Sequence, residues 1–442
     1  MNKPNILFLA DMTHPAKAVM DHIMAITKSD KFNWHVINPL TCKIIDRFDF
    51  SLFDAIGLHY SIKSYNNYYL SSSLKKRISE FNGTKFLFLQ DEYQYVNLVQ
   101  DFLYSLGFDL LFTLVNSSMI HKAYPDPRLN SLKKISVLTG YVQDYMKLIV
   151  SPPIYSRKID VSYRGRPNEY WLGSLANEKQ KIATEFIKYS NKRGLCLDIS
   201  VEESKRVYGD SWLKLLMNSK AVLGTESGAS IWDFDSTIEK KTKNFLKKNK
   251  KADFELVYEN VLKPYEGNVL YNAVSPRVFE AAATRTPMVM FPGEYSGVCK
   301  SDIHYIPLEK DFTNFDDVIL KLKNNDYLQE LADRTYNDLI ASNLFSQHIF
   351  SNLVSNEIEK CLKIKPKNYS KLEISLKLKD SINKHKYLNK TYCLITEIVF
   401  ISHNFFKLLF DSRYNLLSKS KVLGAGFARY MIYLLARLKN YS

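Results

Sequence analysis

The sequence predicts an α/β protein built of two strand–helix units in tandem, followed by a basic helical extension. Three observations carry that reading. Short apolar runs alternate with helical patterns through the first 350 residues, as expected of mostly parallel sheets covered by helices on both faces. The alternation breaks at Ser151-Pro152-Pro153 and then restarts; two prolines stop either kind of element and stiffen a linker. From Ser351 to Ser442 there are 17 Lys and Arg against 6 Asp and Glu, a net of +11, whereas the 44 against 40 of the first 350 residues leave +4.

In the first unit, residues 1–150, the apolar run Asn5–Ala10 reads as a strand. After His14-Pro15, a helix start signal, Val19, Ile23 and Ile26 recur at helical spacing. Strands follow at Trp34–Ile37, Ala55–His59, Lys85–Leu89 and Leu110–Val115, with helical patterns at Ser71–Phe81 and Tyr95–Leu106. The second unit, residues 154–350, opens with the strand Ile159–Tyr163 and the loop Arg164-Gly-Arg-Pro167, then a helix from about Glu178 to Lys192. Next come the strand Leu197–Ser200, a helix across Trp212–Asn218 and the strand Ala221–Gly224, which ends in Thr225-Glu-Ser-Gly228. A helical insertion, Thr237–Tyr265, precedes a helix of small residues after Ser275 and the buried strand Met288–Phe291. Phe315–Leu322 and Tyr327–Ile340 read as closing helices. Each unit is thus Rossmann-like, and in such sheets ligands bind beyond the carboxyl ends of the strands.

Composition narrows the function classes. Hydrophobic residues make up 46% and aromatics 13% of 442 residues, enough for real cores and too much for global disorder. The five cysteines are scattered with no Cys-x-x-Cys, which argues against a disulfide framework or zinc site and for a reducing compartment. No metal and no cofactor are expected. The N-terminal apolar run is too short for a signal peptide, and no window of about 18 residues is free of charge. The expected location is the cytoplasm. The net charge of +15 does not imply nucleic acid, because the tail cations flank apolar stripes rather than a groove with stacking aromatics. A nicotinamide enzyme is disfavoured: the first strand leads into Asp11-Met-Thr-His14, with no Gly-x-Gly-x-x-Gly.

The chemistry-bearing pieces are Tyr163-Arg-Gly-Arg166, Trp171-Leu-Gly173 with Glu178-Lys179, Leu223-Gly-Thr-Glu-Ser-Gly-Ala229, Ser275-Pro-Arg-Val-Phe-Glu-Ala281 and His304-Tyr-Ile-Pro-Leu308. Arginines bracketing a glycine after a strand can fork onto phosphate oxygens while the backbone comes close. Arg164, Arg166, Lys179 and Arg277 are therefore candidate diphosphate ligands. A glutamate accepts hydrogen bonds from two hydroxyls at once, which makes Glu280 and Glu226 candidates for contact with a hydroxyl-bearing ligand; the ordinary alternatives are a helix-start glutamate and a polar turn. Ser227, Gly228, Ser296 and Gly297 lie in turns whose amides can meet phosphate. In the first unit Asp11, His14, His59, Asp91 and Glu92 follow strands, and His14 and Asp91 are the preferred candidates for a general base.

Across residues 1–350 these pieces resemble bacterial GT-B-fold glycosyltransferases, and the group related to the spore-protein CgeB-like glycosyltransferase domain in particular. The resemblance implies a metal-independent transferase that takes a nucleotide-diphosphate sugar on the second unit and a glycan or lipid-linked acceptor on the first, in surface-polysaccharide assembly. It implies that Glu280, of the Phe-Glu-Ala motif, binds donor hydroxyls. Relatives often carry a second glutamate eight positions earlier, where this chain has Asn272, so Glu226 is expected to take part of that contact. Two further readings stay open: a nucleotide-sugar epimerase, and a non-catalytic glycan- or membrane-binding scaffold of the same fold.

In the extension, residues 351–442, Leu394, Ile398, Ile401, Phe405 and Leu408 form one helical stripe and Leu423, Phe427, Met431, Leu434 and Leu438 another, flanked by lysines and arginines. Basic amphipathic helices of this kind lie on anionic membranes, so residues 392–440 are expected to make the protein peripheral on the inner face of the cytoplasmic membrane. Both units are complete by about Leu362, and the tail is expected to be dispensable for folding.

Overall fold

The computed structural model describes residues 3–14, 16–63 and 65–409, with side chains through residue 397 and at residue 399. The first sheet has six parallel strands, β1 (Asn5–Leu9), β2 (Asn33–Ile37), β3 (Ala55–Leu58), β4 (Thr84–Phe88), β5 (Leu110–Thr113) and β6 (Lys133–Ser136), in the order β2-β1-β3-β4-β5-β6. Helices α1 (Lys17–Thr27), α2 (Ser72–Ser79), α3 (Val96–Leu106) and the short α4 (Ile120–Ala123) connect them. All five residues of β1 are buried, with Ile6 in register with Trp34 and Ala55. A strand covered on both faces has no need of alternation, so its sequence is a continuous apolar run. Helix α3 ends at Gly107, whose left-handed φ of 63° a side chain would resist.

The second sheet is also parallel. Strands β7 (Ile159–Arg164), β8 (Leu197–Ser200) and β9 (Ser219–Gly224) come with helices α5 (Ser174–Tyr189) and α6 (Asp210–Met217). A two-stranded antiparallel pair, β10 (Ser227–Ala229) and β11 (Tyr271–Ala273), brackets the insertion with helices α7 (Thr237–Lys248) and α8 (Phe254–Val257). Helix α9 (Pro276–Ala283) then leads to β12 (Met288–Met290) and β13 (Ile306–Pro307), giving the order β13-β12-β9-β7-β8. Pro276 at the first turn of α9, where an N–H would be unsatisfied, and Ser275 as the preceding cap explain why the helix starts there. Helices α10 (Phe315–Lys323) and α11 (Asn325–Tyr336) close the unit.

The two units are joined by apolar contact. Trp232, from the insertion, is fully buried in the first unit's core with Tyr271, near Tyr124 and Phe234. Asn97 N donates to the Phe234 carbonyl at 3.1 Å, and Tyr93 meets Tyr271 edge-on at 5.6 Å.

The chain then returns to the first unit. Helix α12 (Gln347–Lys360) packs on α1, placing Phe350, Val354 and Ile358 in one core of the first sheet. Helix α13 (Lys371–Lys384) places Ile374 and Leu378 in the core on the opposite face. Lys367 N donates to Asp54 Oδ1 at 3.1 Å. On helix α14 (Lys386–Leu409), Asn389 Oδ1 accepts from Lys43 N at 2.6 Å and Glu397 Oε1 from the Tyr68 hydroxyl at 3.0 Å. This corrects the expectation that the chain beyond Leu362 is dispensable: the stretch is helical as expected, but one side of it seals the first unit. Leu394, of the first expected stripe, is 60% exposed. The remaining positions of that stripe have no described side chains, and the Leu423–Leu438 stripe lies outside the described residues. Among the described residues no helix is long and apolar enough to cross a membrane, and none of the five cysteines is in a disulfide.

Truncation after Leu362 is accordingly expected to lower Tm sharply or cause aggregation. Ile374→Ala in the full chain should cost about 2–4 kcal/mol of stability by opening a cavity. A melting curve for each checks this; an unchanged Tm for both would show that α13 contributes nothing to the core.

Candidate active site

A cavity of about 270 Å³ opens between the carboxyl ends of the two sheets. The second unit contributes Arg166, Lys179, Arg206, Trp212, Thr225, Ser227, Gly228 and Arg277, and the first contributes Gln90, Asp91 and Tyr93. The sheets, each running its strands the same way, bring these loops together.

The cations are placed by their neighbours. Arg164, at the last position of β7, is turned away from the cavity: its Nε donates to the Lys205 carbonyl at 3.0 Å, Nη1 to the Tyr163 and Asp198 carbonyls, and Nη2 to both Asp198 carboxylate oxygens at 2.7 and 2.9 Å. A guanidinium has five donors, and all five are engaged. The expectation that Arg164 binds phosphate is corrected on that ground: it anchors β7 to β8. Its carbonyl accepts from Arg277 Nη1, and the Arg277 guanidinium lies 4.8 Å from the centre of the Trp212 ring. Two residues on, Arg166 reaches the cavity wall. Lys179, on α5, stands beside both arginines; burial first, then the neighbouring Arg277, push its pKa down from the usual 10.5 to about 8, with Asp91 opposing. Among the described residues none of Arg166, Lys179 and Arg277 forms an ion pair, whereas Arg164 does. Three cations converge on one cavity with no carboxylate joined to them.

Across the cavity, Asp91 and Glu92 point in opposite directions. Glu92 is buried and accepts from the Thr113 hydroxyl at 2.6 Å, from Leu114 N at 2.8 Å and from the Tyr124 hydroxyl. Burial raises its pKa to about 7. Drawing Glu92 inward leaves Asp91 with a left-handed φ of 55°, which aspartate tolerates better than most residues. Asp91 is thereby exposed on the cavity wall, where it accepts from the Tyr93 hydroxyl at 3.1 Å. His14 is not on that wall; its Nδ1 accepts from Ala16 N at 3.2 Å. His59 is buried with its ring nitrogen 2.9 Å from His22, and burial holds both imidazoles well below their usual pKa, so both stay neutral in the core. Asp11 caps its own turn through Thr13.

The other expected ligands divide. Ser227 and Gly228 line the cavity. Gly228 is required: at its φ of 130°, a Cβ would stand 1.7 Å from the Tyr271 carbonyl oxygen. Glu226, between the wall residues Thr225 and Ser227, points inward and accepts from Tyr295 N at 2.7 Å and from Asn272 Nδ2 at 3.2 Å, tying the end of β9 to the loop after β12. Asn272, at the position where relatives often have a glutamate, is thus the partner of Glu226. Ser296 and Gly297 lie away from the wall; the Ser296 hydroxyl accepts from Val274 N at 3.1 Å. Glu280 is mostly buried, accepts from Trp212 Nε1 at 2.7 Å, and is not on the wall either. His304 is structural, accepting from Lys300 N and meeting Asp338 at 3.1 Å. Trp212 and Arg206 are wall residues that the sequence did not single out. Trp212 read as an apolar helix position, and the local sequence gives no sign that its N–H is used. Among the described residues no cluster of His, Cys, Asp or Glu is arranged to hold a metal ion.

No protein-family profile matches the sequence, and no curated protein matches it. Similar solved structures include an alpha-glucosyltransferase bound to UDP-glucose and DNA containing an abasic site, at 10% identity over 81% of this chain and 100% of that one, with a TM-score of 0.47. A T4 phage enzyme, BGT, with its UDP-glucose substrate gives 10% identity, the same coverage and a TM-score of 0.46. Anabaena HepE with UDP-glucose gives 12% identity over 81% of this chain and 100% of that one, with a TM-score of 0.46. These are likenesses of outline. One of them is bound to DNA, so the expectation that this chain has no nucleic-acid partner gains nothing from the comparison.

A lysine with a pKa near 8 makes anion binding pH-dependent at an accessible point. Lys179 is charged below about pH 8 and neutral above it, and a bound polyanion would draw its pKa up. Affinity for a diphosphate such as UDP is therefore expected to be flat near pH 7 and to fall about fivefold to tenfold between pH 7.5 and 9.5. Lys179→Met should bind more weakly and remove that step. Calorimetric titration at several pH values checks both; a wild-type profile flat to pH 9.5 would place Lys179 outside the site.

Proposed function

We propose that this protein is a glycosyltransferase that moves a sugar, a hexose or a related one, from a nucleotide-diphosphate donor to a glycan or lipid-linked acceptor. One observation carries the reading: Arg166, Lys179 and Arg277, without ion-pair partners among the described residues, face Asp91 across a cleft at the carboxyl ends of two parallel sheets. Sheets of this kind bind ligands there. A cluster of cations in one cleft is stabilised by a polyanion and is set to receive the charge that develops on a departing diphosphate.

In this reading the diphosphate lies on Arg166, Lys179 and Arg277, with the backbone at Ser227 and Gly228 close by. The acceptor enters beside Asp91, Tyr93 and Gln90. In an inverting transfer, Asp91 takes the proton from the acceptor hydroxyl as its oxygen bonds to the anomeric carbon, and the bond from that carbon to the β-phosphate oxygen breaks. In a retaining transfer, the departing phosphate oxygen accepts the proton. Closure of the units excludes water, which matters because hydrolysis is the competing reaction. The cations do the work a metal would do on the leaving group, and that supports metal independence.

Membership of the CgeB-like group, a role in surface polysaccharide assembly and a cytoplasmic address belong to the same proposal; the first two rest on the motifs and the address on the scattered cysteines. An anionic membrane as partner is supported by the exposed apolar side chains Leu372, Leu376, Leu394, Ile395 and Val399 on α13 and α14, set among lysines. An epimerase would have no use for that face.

The tests are direct. UDP or another nucleoside diphosphate should raise Tm, by about 2.7 kcal/mol of added stability at 100 times Kd, and Arg166→Ala should weaken binding about tenfold or more. Slow donor hydrolysis should persist after exhaustive EDTA treatment. If no nucleoside diphosphate shifts Tm, the donor reading fails; if activity returns only with added manganese or magnesium, metal independence fails.

A further inference from the structure

Trp212 is buried, with 6% of its surface exposed, yet its ring forms part of the cavity wall. It has a partner on each side. Its indole N–H donates to the Glu280 carboxylate at 2.7 Å, and the Arg277 guanidinium sits 4.8 Å from its ring centre. Arg277 and Glu280 are three residues apart on α9 and so lie on neighbouring positions of the helix surface. On its far side Arg277 donates to the carbonyl of Arg164, whose side chain is immobilised by Asp198.

We propose that Trp212 is the positioning residue for Arg277, and that Glu280 acts on the donor through Trp212 rather than by touching it. This rests on the nucleotide-sugar reading above. The indole N–H takes up the carboxylate of Glu280, and the other charges acting on Glu280 besides Arg277 are Asp21 and Lys17 of α1, from the first unit. An anion accepting from an indole N–H enriches the ring in electron density, and a richer ring holds a cation more strongly over its face. Arg277 has a long, mobile side chain that would lose much rotamer entropy on binding phosphate. Held between the Trp212 ring and the Arg164 carbonyl, it has lost that freedom before the donor arrives. Glu280 fixes the ring, the ring fixes the guanidinium, and the guanidinium meets the diphosphate.

The test is a double-mutant cycle on the full-length protein, read by calorimetry with UDP and, separately, with inorganic pyrophosphate, and with Tm followed for each variant. Trp212→Leu is expected to weaken both ligands about fivefold to tenfold, and Trp212→Phe, which keeps a ring without the N–H, to weaken them less. Glu280→Ala should weaken both ligands in the wild-type background and cost nothing further in Trp212→Phe. Glu280→Gln should lose less than Glu280→Ala, because its amide oxygen still accepts from the indole although it no longer carries the charge that enriches the ring. Neither Trp212→Leu nor Glu280→Ala should add to Arg277→Ala. A purely structural role would lower Tm without this pattern of non-additivity in Kd. Additive losses, or a loss for Glu280→Ala that appears with UDP alone, would mean that Glu280 meets the nucleotide itself and would overturn the relay. If pyrophosphate binds with the expected pattern while UDP does not bind at all, the relay stands and the nucleotide reading falls. If neither binds the wild-type protein, both fall. Should Trp212→Leu fail to fold, the Trp212→Phe and Glu280 variants still complete the cycle.

Discussion

Three cations that share one cavity without an ion-pair partner among the described residues are the constraint around which this molecule is arranged. Arg166, Lys179 and Arg277 come from three separate segments of the second unit and share one cavity, and the pKa of Lys179 is depressed by its burial first and by the neighbouring Arg277 second. Burying a charge without a partner is costly. Arg166 stays exposed, and the partly buried Arg277 is held by a carbonyl and an indole ring. Arg164, one residue before the Gly165 that leads to Arg166, spends its whole charge on Asp198 so that β7 and its loop stay fixed. In the proposed reading, the site is formed before the diphosphate arrives.

That arrangement needs two sheets whose strands end at the same cleft, and the apolar joint between the units supplies the register. Trp232 and Tyr271 belong in sequence to the second unit but in packing to the first. Tyr271 is in register with Ala229, the neighbour of Gly228 on the cavity wall, and meets Tyr93 two residues from Asp91. The joint and the site therefore share a short path of side chains. The insertion and the returning helices α12 and α13 serve the same end, covering the first sheet on both faces so that its strand ends can be held opposite the cations.

Much of this is legible in the sequence, and the parts that are not have physical reasons. Doubly covered parallel strands are rich in continuous apolar residues, so β1, β3, β4, β5, β9 and β12 stand out, while β7, Ile-Asp-Val-Ser-Tyr-Arg, is read from its alternation. Strand β6, Lys-Lys-Ile-Ser, is an edge strand with a partly exposed face, and β10 and β11 are three residues each; neither pattern rises above its surroundings. Arg166, Lys179, Arg277 and Asp91 are readable as candidates, and the structure places all four on one cavity wall. Arg164 was misread because its carboxylate partner lies 34 residues away on a neighbouring strand. The position of Glu280 on α9 was readable, but not the direction it faces, which α6 decides by presenting Trp212. The amphipathic tail was plain, while the surface that covers its inner side depends on where the chain returns.

The most direct measurement of the central claim is a crystal structure of the protein with UDP bound. The account predicts the diphosphate within hydrogen-bonding distance of Arg166, Lys179 and Arg277, with Trp212 still under the Arg277 guanidinium and Arg164 still on Asp198. A diphosphate seated instead on Arg164, or on the Ser296-Gly297 loop with the three cations left unoccupied, would contradict it.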